Sequence, residues 1–185
     1  MDEAPEREGL RADDEETYRL CDALVALGEG KAAVDLLRRK VNVARSSLPG
    51  ASATLLRLLS VYAGILESTD ALAEAEFIRV EALEIVASAQ TTTLDAIDAF
   101  LKHGLLLSKM HNYDGAVAKL KEAVRRTEEL DSLDALHQQI ILAQAWRGQA
   151  QALEALGEFT QASDALDALL NVKRKIRFIV FSMVS

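Results

Sequence analysis

"SKMHNYDGAVAKLKEAV", Ser108 to Val124, sets a polar break before an aromatic residue, then an alanine three residues on, then an apolar helical face. "ALGEFTQASDALDAL", Ala155 to Leu169, is a loose copy: Gly157 and Glu158 break the chain, Phe159 follows, and Ala162 opens the next face. Self-similarity at a roughly fixed period is the signature of a repeat architecture. Aligned on the alanine, the copies fall at Ala33, Ala75, Ala116 and Ala162, separated by 42, 41 and 46 residues. Five residues before each stands a turn-compatible residue, Gly28, Asp70, His111 or Gly157. Twelve before stands a small one, Cys21, Ala63, Gly104 or Ala150. Four after come Leu37, Leu120 and Leu166, with Arg79 in the second copy.

Helix geometry gives this register its reason. Where two antiparallel helices cross closely, only a small residue lets the backbones approach, and larger neighbours fill the flanks. The tight turn between them favours Gly, Asn or Asp. The spacing therefore predicts four helical hairpins, eight helices in all. Within "TTTLDAIDAFLKHGLLLSKM", the positions Leu94, Ile97, Leu101, Gly104, Leu105 and Ser108 keep the three-and-four spacing of one helical face. Thr92 and Asp95 resemble a capping box at its start. "SSLPGAS" (46–52) and "ASAQTTT" (87–93) read as breaks between hairpins.

Composition agrees with an all-α chain. Of 185 residues half are hydrophobic but only 5% are aromatic, and two prolines leave the helices uninterrupted. The formal net charge of −8 disfavours nonspecific nucleic-acid binding, which rewards clustered Lys and Arg. A single cysteine, Cys21, excludes an internal disulfide and a cysteine-based zinc site. No run approaches the ~18 apolar residues of a membrane span. Residues 1–13 read as an acidic disordered tail with no apolar core for a presequence, so a cytoplasmic location is expected. Residues 14–172 hold the repeats, and 173–185 form a basic and apolar C-terminal tail. Because the pattern stops abruptly there, the natural array is expected to continue, with residues beyond about Arg174 adding nothing essential to the fold.

The register resembles the tetratricopeptide pattern over roughly residues 14–172. The fourth copy matches at Trp146, Ala150, Gly157, Phe159 and Ala162, and the third at Phe100, Gly104, Tyr113, Ala116 and Ala123. The second matches at Ala63, Leu72, Ala75 and Ala82, and the first at Gly28 and Ala33. Since tetratricopeptide units usually run about 34 residues, these longer ones are similar to the long-helix variant of kinesin light chains and comparable adaptors. "AEFIRVEALEI", Ala75 to Ile85, is similar to the second helix of that variant. Lys40, Leu169 and His103 depart from the pattern.

The resemblance implies a right-handed α-solenoid whose first helices line a concave groove for a peptide. It assigns to that groove Arg57, Ser60 and Gly64, then Asp98, Leu101 and Leu105, then Gln144, Arg147 and Gln151. The basic residues Arg38, Arg39, Lys40, Lys119, Lys121, Arg125 and Arg126 fall on second helices, whose convex faces are solvated. Chaperone-binding relatives grip a C-terminal carboxylate with a Lys and Asn pair; Tyr18 and Asp22 stand at those positions, and Asp22 would repel it.

Nothing in the sequence assembles a catalytic or cofactor site. "LGEGKAA" (27–33) fails as a phosphate-binding loop, because Val25 and Ala32 occupy the places that need Gly and Ser or Thr. His103, His111 and His137 make no His-Glu-x-x-His pair, so His103 reads as an inter-helix polar residue and no metal is expected. Trp146 reads as core. The expected function is a non-enzymatic interaction scaffold or adaptor for a protein or peptide partner, with array ends open to self-association. Two alternatives are a regulatory fragment of a larger signalling or transcription protein and, least favoured, an enzyme on a helical scaffold.

Overall fold

A computed structural model describes residues 4–48, 52–89, 93–130 and 133–184, with side chains described from 15 to 182 within those ranges. Every described element is an α-helix: α1 Ala4–Ala26, α2 Gly30–Ser47, α3 Ala53–Ser68, α4 Leu72–Ala89, α5 Leu94–Lys109, α6 Tyr113–Glu129, α7 Ala135–Ala155 and α8 Phe159–Val184. The chain divides into two compact units, Met1–Ile78 and Arg79–Ser185, and the division falls inside α4.

The four predicted turns share one backbone conformation. Gly28, Asp70, His111 and Gly157 have φ of 81°, 62°, 61° and 79°. In each turn the next residue's N–H reaches back five residues to a helix carbonyl: Glu29 to Leu24, Ala71 to Leu66, Asn112 to Leu107, Glu158 to Leu153, at 2.8 to 2.9 Å. This left-handed C-terminal motif satisfies carbonyls that a helix end otherwise leaves open. Gly28 and Gly157 adopt it without strain, whereas Asp70 and His111 do so against the steric preference of an L side chain.

In the first unit α1 packs on α2 and α3, and α2 on α3. Cys21, Ala33, Leu37, Leu59, Ala63 and Ala75 are fully enclosed. Burial pushes the Cys21 thiol up from its usual pKa. A polar clamp edges this core: Arg38 donates to Tyr62 Oη at 3.2 Å and to Glu74 at 3.1 Å, and Tyr62 Oη donates to Glu74 at 2.8 Å. Those bonds, Tyr62 first and then Arg38, hold the Glu74 carboxyl below its usual range. Arg38 is thus more than a solvated charge.

In the second unit α5 packs on α6, α6 on α7, α7 on α8, and α5 touches α7. Leu120 decides the closeness of three helices. A Cβ added at Gly104 would lie 2.7 Å from its Cγ, and one at Gly148 would lie 2.9 Å from its Cδ1. At Gly104 the Ala116 carbonyl oxygen also lies 3.2 Å from that Cβ, so α5 needs glycine where Leu120 wedges in, whereas at Gly148 the atoms met are the terminal methyls of Leu120 and Leu105, which would have to shift. Trp146 packs against both apolar clusters of this unit, one around Ala116, Ala150 and Ala162, the other around Leu120, Ala145 and Val172.

Three expectations change. α5 is capped by Thr93, whose hydroxyl accepts from the Ala96 N–H at 3.2 Å, while Thr92 lies outside the described residues. The helical backbone of α1 begins at Ala4, within the acidic segment 1–13, and residues 1–3 lie outside the described ones. At the other end the basic and apolar stretch continues α8 to Val184 instead of leaving it. Ile176 packs against the Val172 cluster, so helix and burial run past Arg174. A helix already under way needs no new nucleus, and this anchored helix carries the β-branched run with it.

Candidate functional site

The residues assigned to a peptide groove are best followed unit by unit. On α3, Arg57 is exposed while Ser60 and Gly64 are half-buried, and a Cβ added at Gly64 would meet no neighbour within 4 Å. The three share one helical face by their spacing.

In the second unit the candidates lie on α5 and α7, two helices in contact. Gln144, Arg147 and Gln151 are all exposed, three to four residues apart on one face of α7. Asp98 on α5 is half-buried and pairs with Lys102 at 2.9 Å. Leu105 is half-buried and directed to Gly148, where its Cδ2 would lie 3.0 Å from an added Cβ. Leu101 does not join this face. It is 3% exposed and packs with Leu120, Leu142 and Ala145, so it belongs to the core. Both faces of α5 are apolar at that level, and spacing alone does not tell which one the neighbouring helix takes.

Two polar groups missed by groove reasoning are buried beside this core. His103 is 4% exposed, and neither ring nitrogen has a hydrogen-bond partner. Its pKa is lowered to about 4, by burial first and then by the positive charges of Lys119 and Arg79. Arg79, at the position where other copies carry leucine, is itself only 3% exposed. The sequence signal was the departure from pattern at both positions. Phe100 receives two cations above its ring, the Arg126 guanidinium at 4.6 Å and the Lys119 ammonium at 5.8 Å. Arg126 also donates to Glu122 at 2.7 Å. Hydrogen bonds from Arg125, then Arg126, hold the Glu122 carboxyl down at about 2.

The remaining chemistry-bearing residues do not converge. His111 sits in its turn with Nδ1 2.7 Å from Tyr113 Oη, and His137 contacts the Asp134 that caps α7. Among the described residues no group of three His, Cys, Asp or Glu side chains could hold a metal ion, and no helix is long and apolar enough to cross a membrane. Tyr18 is half-buried and Asp22 exposed.

No family model and no curated protein matches the chain. Solved structures do. It is similar to BtubC (BKLC) from P. vanneervenii, with a TM-score of 0.74 at 15% identity, over 87% of this chain and 63% of that one. It is also similar to a putative kinesin light chain of nearly identical TPR-like repeats from Podosopora anserina, with a TM-score of 0.59 at 15% identity, over 87% of this chain and 95% of that one. The chain thus spans less than two thirds of the BtubC chain. At such identity what is shared is the path of the backbone, and with the four like turns it gives this chain a TPR-like helical repeat fold.

Proposed function

We propose that this chain is a non-enzymatic interaction scaffold that receives a peptide segment on the exposed faces of its first helices. The observation that carries the reading is the row Gln144, Arg147 and Gln151, exposed on α7 beside α5 while the core is closed behind it by Leu101 and Leu120. Such a face offers hydrogen-bond donors and acceptors with one cation and little apolar area. It suits an extended peptide held by polar contacts, with part of its affinity coming from the rigidity of the helices that present them. The same reading assigns Arg57, Ser60 and Gly64 on α3 to peptide contact. A cytoplasmic adaptor is the setting we assign, supported by the lone, buried, unpaired thiol of Cys21.

Quantitative affinity capture from a native lysate tests this, comparing the wild-type chain with a Gln144→Ala, Arg147→Glu, Gln151→Ala triple variant. These exposed positions leave the fold intact, which circular dichroism checks. Loss of at least tenfold in a defined captured set is expected. Equal capture by both chains would overturn the assignment of the α7 face.

A further inference from the structure

One register runs through the hairpins, and it shows what each helix face meets where a neighbour is present. Counting back 46 residues, the step from Ala162 to Ala116 (162−116), sets Ser163, Leu166 and Leu170 of α8 on Val117, Leu120 and Val124 of α6. Those three are buried on α6, which packs on α7, the first helix of the next hairpin. Their counterparts on α8 are all exposed. Counting forward 129 residues, the step from Ala33 to Ala162 (162−33), sets Glu16, Leu20 and Ala23 of α1 on Ala145, Gln149 and Ala152 of α7. Those too are buried, Ala145 in the cluster of Leu120 and Val124, Ala152 in that of Ala116 and Val117. On α1 the counterparts are all exposed, and Leu27, just past its end, is 77% exposed. The chain thus carries both halves of its own inter-hairpin contact uncovered, a second-helix half on α8 and a first-helix half on α1.

Charge fits the two halves together. α6 ends at Glu129 and α7 begins at Ala135, so these packed neighbours run antiparallel. Laid the same way, α1 of a second copy sets its start beside the end of α8. From Ala4 to Glu16 the sequence of α1 carries six acids and two arginines, whereas from Asn171 onward α8 carries Lys173, Arg174, Lys175 and Arg177 and no acid. The apolar ends coincide as well, Leu20 and Leu27 with Leu166 and Phe159, and the helices match in length at 23 and 26 residues. Pairing of α8 with another α8, or with an anionic membrane, would meet its cations but leave the acids and leucines of α1 uncovered. One head-to-tail contact covers both faces.

We propose that the open face of α8 docks the open face of α1 on a second copy of this chain, repeating between copies the contact that α6 makes with α7 within one. Because the two faces differ, each pair still presents one of each, and association runs on instead of closing at a dimer. Arg19 stands at the place of Gly148, which receives Leu120 closely, so the copies approach less closely than α6 and α7 do. The contact is therefore weaker than the internal one and depends on its ion pairs, which salt screens. It does not use the polar row on α7.

Sedimentation analysis of the full chain tests this. Average mass should rise with concentration past that of a dimer and fall as salt is added. A Leu166→Glu, Leu170→Glu variant, which sets acids against the acids of α1, should stay monomeric. So should a Leu20→Lys, Ala23→Lys variant, which sets cations against those of α8. Mixed in equal amounts, the two should form a heterodimer and nothing larger, since one intact α8 face meets one intact α1 face. All four positions are exposed, and circular dichroism checks that each variant keeps its helix. The Gln144→Ala, Arg147→Glu, Gln151→Ala variant should associate as the wild type does, which separates this contact from the peptide face. A chain that stays monomeric at every concentration would overturn the proposal. So would a dimer that survives the α1 substitutions, which would pair α8 with itself, or a mixture of the two variants that remains monomeric. Binding to phosphatidylserine-containing vesicles without self-association would assign the α8 face to lipid and overturn it equally.

Discussion

The third and fourth hairpins say nearly the same thing in sequence and end in different environments. Leu120 and Leu166 hold the same place, four residues after the register alanine. Leu120 is fully enclosed between Gly104 and Gly148, whereas Leu166 is 49% exposed on α8. The second copy sharpens the contrast, because Arg79 takes that place and is nearly as buried as a leucine. A repeat position specifies a direction on the helix. What lies in that direction depends on the next element along, so burial follows from neighbours and not from register.

The largest test of this difference is truncation of the two leucines. Leu120→Ala should cost about 3–5 kcal/mol, since it opens a cavity where three helices meet. Leu166→Ala should cost less than about 1 kcal/mol, as expected at an exposed position. Chemical denaturation of both variants measures the gap, and equal losses would show that α8 is covered in solution.

Acid comes next. The folded protein depresses the pKa of His103 from 6.5 to about 4, so protons bind the unfolded chain first. The stability tied to the neutral ring is complete above pH 6.5 and is lost as the pH falls towards 4, at most about 3 kcal/mol if the whole difference is realised. His103→Leu should flatten the melting midpoint over that range. Lys119 and Arg79, the cations that act on the ring, are the groups whose neutralisation would weaken the effect.

Overpacking separates the hairpins less strongly. Ala116→Leu should destabilise by about 1–3 kcal/mol at a fully buried crossing, and Ala162→Leu by the lower end of that range. Thermal unfolding decides between them. Unchanged midpoints for both would mean that the register is misplaced.

The smallest effect lies in the turns. Gly157→Ala should cost about 1 kcal/mol, because the added Cβ strains the left-handed conformation. Asp70→Gly should be neutral or slightly stabilising, since it removes that strain while raising the entropy of the unfolded chain. His111→Gly also gives up the contact with Tyr113 and should show less benefit. Melting points of the three variants order them.

Much of the fold was legible because its determinants are local. A residue that must be small, one that must turn and one that starts an apolar face lie within about a dozen positions of each other, and Gly28, Asp70, His111 and Gly157 follow from that spacing alone. The candidate sites were less legible. Arg147 and Gln144 are exposed, yet Leu101, which the resemblance assigns to the same surface, is core. Gln139 on α7 and Arg174 on α8 line one surface depression although they stand 35 positions apart in sequence, with no shared motif to reveal it.

By itself the sequence determined the helices, their number, their four turns and the close crossings at alanine and glycine, because side-chain size and backbone freedom act over a few residues. Tertiary structure alone decided which like positions are buried. It enclosed Leu120 and left Leu166 open, took in Arg79 and His103, and carried α8 on past Arg174 over the start of α7. Burial is a property of the surface a residue meets, and that surface comes from elements far away in the chain.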